Sequence, residues 1–270
     1  MFDEKNVVYR YKYLPYSEGS LKALTESTIK FTCPLEFNDP FDCKPYYNTD
    51  KIHNVPSQRP DLFRAAGNRR GLSPAKRIQE KGKFTARLKK RITDGSFAAS
   101  TISNIGVVSL SKNALNIPMW SHYADFHRGI VLEFRIPIKG NGSDLSRSLE
   151  RLLPFPVIYH QQRPHIEIGT DKHDDLLNKI ALTKSTDWLY EEEERVIDHE
   201  RGPGIYHYSR DEILSSVVAG MNMKENNYAN LQTIIEKIST GNELKPKLYK
   251  AQEKNDEYKL TVHGHPRLDE

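Results

Sequence analysis

Only two cysteines, Cys33 and Cys43, occur in 270 residues. That excludes a disulfide framework and a four-cysteine zinc site, and it leaves two reduced thiols as the expected state of a cytoplasmic protein. No apolar run approaches the roughly 20 residues that a membrane-spanning helix needs. The opening, MFDEKNVVYR, has acids where a secretory signal would carry an apolar core, so no such signal is expected. Glycine-rich phosphate loops of both common types are missing, as are a serine elbow and a cysteine–histidine nucleophile pair. Their absence argues against P-loop enzymes, dinucleotide dehydrogenases and α/β-hydrolases. His122 and His127 lie five apart, where a zinc-binding helix would set two histidines four apart with a glutamate between them, so no metal is expected.

Hydrophobic residues make up 37% and charged residues 28%, a globular composition with a formal net charge of +4. The charge is unevenly spread. RRGLSPAKRIQEKGKFTARLKKR, from Arg69 to Arg91, has Glu80 as its only acid. Ser73-Pro74 reads as a helix start, and Phe84, Leu88 and Ile92 recur at helical spacing. The run is either a solvated helix face or a surface that tracks phosphates. In the second case Arg69, Arg70, Lys76, Arg77, Lys89, Lys90 and Arg91 are the candidate nucleic-acid contacts.

The rest of the chain alternates short strands and helices. VVYRYKYL, IKFT, IGVVSLS, RGIVLEFRI (stopped by Pro137), FPVIYH, EERVID, ILSSVVAG and EYKLTVHG read as strands. SLKALTES, opened by Ser20, reads as a helix, as do the segment after GNGSD, HDDLLNKIAL and NNYANLQTIIEKISTG. In the last of these Tyr228, Leu231, Ile234, Ile235 and Ile238 share a face and Gly241 can cap the end. Strands do not alternate regularly with long helices, so a doubly wound parallel sheet is not expected. The reading is α+β: one domain over residues 1–270 on a mixed, mostly antiparallel sheet, with a basic helical insertion at 48–105.

Three stretches carry candidate chemistry. In CPLEFNDPFDC, Asn38-Asp39-Pro40 forces a turn that Phe37 and Phe41 would anchor in the core, and Asn38 or Asp39 could face a ligand. In MWSHYADFH, Trp120 and Tyr123 share a helical face and could stack on a flat ring, with His122 as donor or acceptor. In DWLYEEEERVID, strand alternation puts Glu191 and Glu193 on one side with Arg195, near Trp188 and Tyr190, and Glu192 and Glu194 on the other. Two such carboxylates could do acid–base work on a sugar or stabilise a cationic transition state.

Taken in order, YRYKYL, FNDPFD, VVSLSKN, MWSHYADFHRGIVLEF, WLYEEEER and VVAGMNM resemble domain of unknown function family 2971, a bacterial family with no established activity. The resemblance spans about Val8 to Ile235. A second resemblance is to NAD-dependent ADP-ribosyltransferases of the arginine–serine–glutamate type. Arg10 (or Lys12), then Ser109 and Ser111, then Glu191 and Glu193 follow that family's chain order, although Leu110 stands where the serine motif carries threonine. The histidine–tyrosine–glutamate type is echoed only by His122-Tyr123, in a different place along the chain. This second resemblance implies an ADP-ribosyltransferase-like fold and NAD as substrate. Glu193 or Glu191 would stabilise the sugar cation, and Arg10 or Lys12 would hold the pyrophosphate. Ser109 or Ser111 would orient the carboxylate, and Tyr123 or Trp120 would stack on a ring. Such an enzyme would serve as a toxin or phage-defence effector with a protein, nucleic-acid or water acceptor. The alternatives are a nucleic-acid-binding or RNA-cleaving defence protein using His122, His127 and a glutamate, and a non-catalytic nucleotide sensor.

Overall fold

The computed structural model describes residues 6–138, 144–168, 173–240 and 244–269. The chain divides into two compact units. The first comprises Met1–Thr32, Gly106–Val157 and Asp187–Glu270, and the second comprises Cys33–Ile105 and Ile158–Thr186. The stretch 48–105, read as a basic helical insertion, falls in the second unit together with 33–47 and 158–186.

In the first unit the elements are β1 (Val7–Leu14), α1 (Glu18–Thr25), β2 (Thr28–Phe31), β3 (Gly106–Ser111), α2 (Ile117–Tyr123), β4 (Ile130–Pro137), α3 (Leu145–Glu150), β5 (Phe155–Pro156), β6 (Glu193–Asp198), β7 (Gly204–His207), β8 (Leu214–Ala219), α4 (Glu225–Ser239) and β9 (Lys247–Lys250). Seven strands form one sheet in the order β9-β8-β4-β1-β3-β6-β5. Only β8–β9 is parallel within it; the other pairings are antiparallel. The expected α+β architecture on a mixed, mostly antiparallel sheet is therefore what the chain adopts.

Both faces of this sheet are covered, which is why β4, IVLEFRIP, is buried along its whole length. One face carries Val108, Leu110, Leu132, Phe134, Val196 and Val217 against Leu24 of α1 and Leu231 and Ile235 of α4. The other carries Tyr11, Tyr13, Val131 and Val218 against Met119 and Trp120 of α2 and the C-terminal Leu260, Val262 and Leu268. The period-2 alternation of β1 sends its tyrosines to this second face and Arg10 to the first.

Several local expectations are corrected. Ser17 caps α1, its side chain accepting from the Ser20 amide, and Ser20 lies inside the helix. The C-terminal strand of the main sheet is Lys247–Lys250, whereas Leu260–Thr261 pairs only with Gln252–Glu253. Gly241 lies outside the described residues. Asp144 caps α3 as an N-cap aspartate should.

The second unit is mostly helical, with helices at Pro60–Asn68, Pro74–Gln79, Lys81–Thr93, Ser96–Ile102 and His173–Ala181. Two short parallel ladders join Tyr46–Asn48 to His165–Glu167 and Ile158–His160 to Thr183–Ser185. A buried Lys184–Asp42 ion pair (3.6 Å) sits among its apolar residues. Ser73 caps the 74–79 helix as expected. Phe41 does not anchor its turn: it is 64% exposed. The turn is held by Asp39, whose carboxylate accepts from the Phe41 amide at 2.8 Å.

Candidate active site

The three segments that carry the arginine, serine and glutamate signals are neighbouring strands, β1, β3 and β6, in one sheet. Register decides which side chains meet. Glu193 pairs with Ser111, Glu194 with Leu110 and Arg195 with Ser109. Paired residues share a face, so Glu193, Arg195, Ser109 and Ser111 lie on the tyrosine side and Glu194 on the Arg10 side.

Arg10 therefore meets Glu194, not Glu191 or Glu193. Its Nε and Nη2 donate to the two Glu194 oxygens at 2.6 and 2.9 Å, a bidentate pair, and Lys112 Nζ lies 3.4 Å from the same carboxylate. Arg195 pairs with Glu193 in the same two-pronged way, at 2.8 and 3.0 Å. Arg195 has no exposed surface and Glu193 only 4%. The acidic strand is thus not a solvated edge: it runs between β3 and β5, and of the consecutive Glu191, Glu192, Glu193 and Glu194 all but Glu192 are buried.

Glu191 is set apart by the backbone. It ends the 3-10 turn Thr186–Glu191, and Glu192 takes a left-handed conformation (φ 46°) before β6 begins. The chain from Ser111 to Asn116 clamps this turn. Ser111 Oγ donates to the Glu191 carbonyl (2.7 Å), the Lys112 amide to the Glu192 carbonyl (3.1 Å) and Asn116 Nδ2 to the Tyr190 carbonyl (2.8 Å). Asn113 Nδ2 donates to the Glu192 side chain at 3.2 Å. Asn116 also caps α2, accepting from the Met119 amide (3.0 Å), so one side chain fixes both the helix start and the acidic turn. Asn113 and Asn116 escaped the sequence reading. The available signal was an asparagine two residues before Pro118, where helix starts put their caps.

At the other end of α2, Tyr123 donates its hydroxyl to Glu191 Oε1 at 2.7 Å. Glu191 itself is 3% exposed. Half-buried Lys12 donates to the Ser109 carbonyl at 2.9 Å. Burial pulls the Lys12 ammonium down to about 8, against the opposing pull of Glu193 and Glu191. Beside Tyr123, the partly exposed rings of Trp188 and Tyr190 belong to the turn that ends at Glu191, and His122 is exposed. His122 Nδ1 lies 3.2 Å from the Tyr190 hydroxyl, and Trp188 and Tyr190 are 6.1 Å apart. The arrangement offers a desolvated carboxylate, a cation whose proton is loosely held, and an aromatic rim.

Trp120 is not part of that rim. It is fully buried, packs edge-on to Tyr13 and donates its indole N–H to the Ala114 carbonyl at 2.8 Å, so its ring belongs to the core. His127 stacks on Trp120, and burial lowers its pKa. Three consecutive left-handed residues, Asp125, Phe126 and His127, bring it there. Each costs about 1–3 kcal/mol of backbone strain. Asn38 and Asp39 belong to the second unit.

Among the described residues no group of three or more His, Cys, Asp and Glu could hold a metal, and no helix is long and apolar enough to cross a membrane. No curated protein and no solved structure matches the chain. Residues 119–196, which run from α2 through the acidic strand and contain Tyr123, Glu191, Glu193 and Arg195, match the family model described as a protein of unknown function, DUF2971, the family that the sequence motifs resemble.

Proposed function

We propose that the protein consumes NAD, as an ADP-ribosyltransferase or NAD glycohydrolase, with Glu191 as the carboxylate at the reacting sugar. The observation that carries this reading is the buried Glu191 side chain, oriented by the Tyr123 hydroxyl and acting on the Lys12 ammonium, at the end of the turn that carries Trp188 and Tyr190. Cleavage breaks the bond between ribose C1′ and nicotinamide nitrogen, and the electron pair leaves on nicotinamide. The sugar is left with cationic character, which a nearby desolvated carboxylate stabilises. Water or an acceptor then bonds C1′ and gives up a proton. Glu191, or Lys12 in its neutral amine form, is the group to receive it. Glu193, held by Arg195, acts as a positioning residue through the strand. Arg10 is engaged by Glu194 on the other side of the sheet, so it is not the residue that holds the pyrophosphate. The tyrosine and tryptophan rings offer stacking surfaces for nicotinamide. In a cytoplasmic setting such an activity suits a toxin or a phage-defence effector.

The test is release of free nicotinamide from NAD. The wild type is expected to turn over and Glu191→Gln to lose at least about 100-fold, the size of a lost transition-state contact. Equal release by wild type and Glu191→Gln refutes the assignment. A rise in melting temperature with NAD and no release identifies a nucleotide sensor instead.

A further inference from the structure

The second unit holds a charge that the remainder of the chain opposes. Residues 59–94 contain twelve Lys and Arg against three Asp and Glu, nine positive charges net. Elsewhere 28 Lys and Arg face 33 Asp and Glu, five negative charges net. A formal charge of +4 for the whole chain conceals this polarity.

The structure gives the charge a shape. On the helix Lys81–Thr93, Lys83, Arg87 and Lys90 follow at spacings of four and three and so share one side. Phe84, Leu88 and Ile92 are half-buried on another side, and Phe84 packs edge-on to Phe63 of the helix Pro60–Asn68 (5.1 Å). Next to the Lys83–Lys90 ridge, Arg70, Arg77, Arg87 and Arg91 line a cavity of about 210 Å³ floored by Phe63 and Phe84. Its one carboxylate, Glu80, is shared among three cations: Arg70 at 3.0 Å, Lys83 at 3.9 Å and Arg87 at 4.0 Å. A single acid among so many bases leaves a strong positive surplus. Lys83 is 72% exposed and Arg70 and Arg87 nearly half, so that surplus faces solvent.

We infer that the second unit binds nucleic acid through its phosphate backbone, the Lys83–Arg87–Lys90 ridge tracking successive phosphates and the arginine-lined cavity taking one of them bidentately. A lipid surface fits less well. The apolar residues of this helix turn inward, which leaves no greasy stripe beside the cations to sink between acyl chains. The inference is independent of NAD chemistry.

The experiment is fluorescence anisotropy with the full-length chain and labelled RNA and DNA strands of about 20 nucleotides, a length exceeding single-strand site sizes. With about six phosphate contacts the log–log salt slope for a single strand is about −4, so affinity falls roughly 300-fold between about 50 and 200 mM salt. Lys83→Gln/Arg87→Gln/Lys90→Gln is expected to flatten the slope by about 2 and to weaken binding more than about 10-fold at low salt. Lys224→Gln/Lys237→Gln/Lys247→Gln, in the first unit, is expected to leave both unchanged. Should the first triple variant lose its far-ultraviolet circular dichroism, the three single variants replace it, each flattening the slope by about 0.7. Any of three results overturns the inference: salt-independent binding, equal binding by the ridge variant, or binding to phosphatidylserine vesicles with none to RNA or DNA.

Discussion

Replacing Arg195 by Met keeps the side-chain volume and deletes the charge. In the folded chain Arg195 has no exposed surface and donates two hydrogen bonds to Glu193, itself 4% exposed. Without it a carboxylate stays desolvated, with the Lys12 ammonium still acting on it. Breaking one side of a buried pair costs about 3–5 kcal/mol, whereas replacing both sides by neutral groups is often close to neutral. Arg195→Met should therefore lower the urea midpoint by that free energy, or the melting temperature by roughly 6–20 °C at the usual 2–4 °C per kcal/mol for a chain this size. Glu193→Gln should lose a similar amount by stranding the guanidinium. The double variant should lie within about 2 kcal/mol of wild type, so the two changes are coupled by at least about 4 kcal/mol. A loss under about 1 kcal/mol in Arg195→Met would refute the buried-pair account, as would additivity of the two variants within about 0.5 kcal/mol.

Four further outcomes follow from the geometry. Tyr123→Phe removes the donor to Glu191 and should cost about 1.5–3 kcal/mol in urea denaturation, the worth of a hydrogen bond to a charged group. Because Lys12 is lowered to about 8 in the folded state, the unfolded chain binds more protons between pH 8 and the ordinary lysine value, so stability should climb from pH 8 to 10 and stay flat in Lys12→Met. Above pH 10 the raised hydroxyl of Tyr11, near 12, reverses the trend, since the unfolded tyrosine ionises first. Burial raises the Glu133 pKa, but His265 and Arg267 together outweigh it and leave it below the ordinary range, so its stabilisation is present above that range and fades as acid protonates it; Glu133→Gln should remove this acid sensitivity and loosen 262–268 to proteolysis. Gly129→Ala would put a Cβ 2.2 Å from the Leu14 carbonyl oxygen and 2.8 Å from that of Ala124, a backbone clash expected to cost more than about 1–3 kcal/mol by thermal melt.

The strands were legible because β-branched and aromatic residues alternate along them, and Ser73 and Asp144 announced helix starts through cap chemistry. Lys247–Lys250 was not, because KLYK is short, charged at both ends and paired in parallel with a distant strand. The pairing of Glu193 with Arg195 could be read from period-2 spacing. The pairing of Arg10 with Glu194 could not, since it depends on cross-strand register, where one residue of slip exchanges the two faces. Glu191 was expected to alternate with its neighbours, but the left-handed Glu192 takes it out of the strand. Trp120 was misread because an aromatic at helical spacing serves a core as readily as a ligand, and only the Ala114 carbonyl beneath its N–H tells them apart.

Strand β1, made first, has neighbours that come late: β3 more than ninety residues on, then β4, with the acidic strand reached at Glu193. During synthesis Arg10 waits 184 residues for the carboxylate that neutralises it. A nascent chain paused short of residue 193 thus exposes unmet cations and unpaired strand edges, the state from which aggregation starts and on which chaperones act. Closure of the sheet is postponed until Glu193–Asp198 and Lys247–Lys250 have left the ribosome, so folding of this unit should be slow.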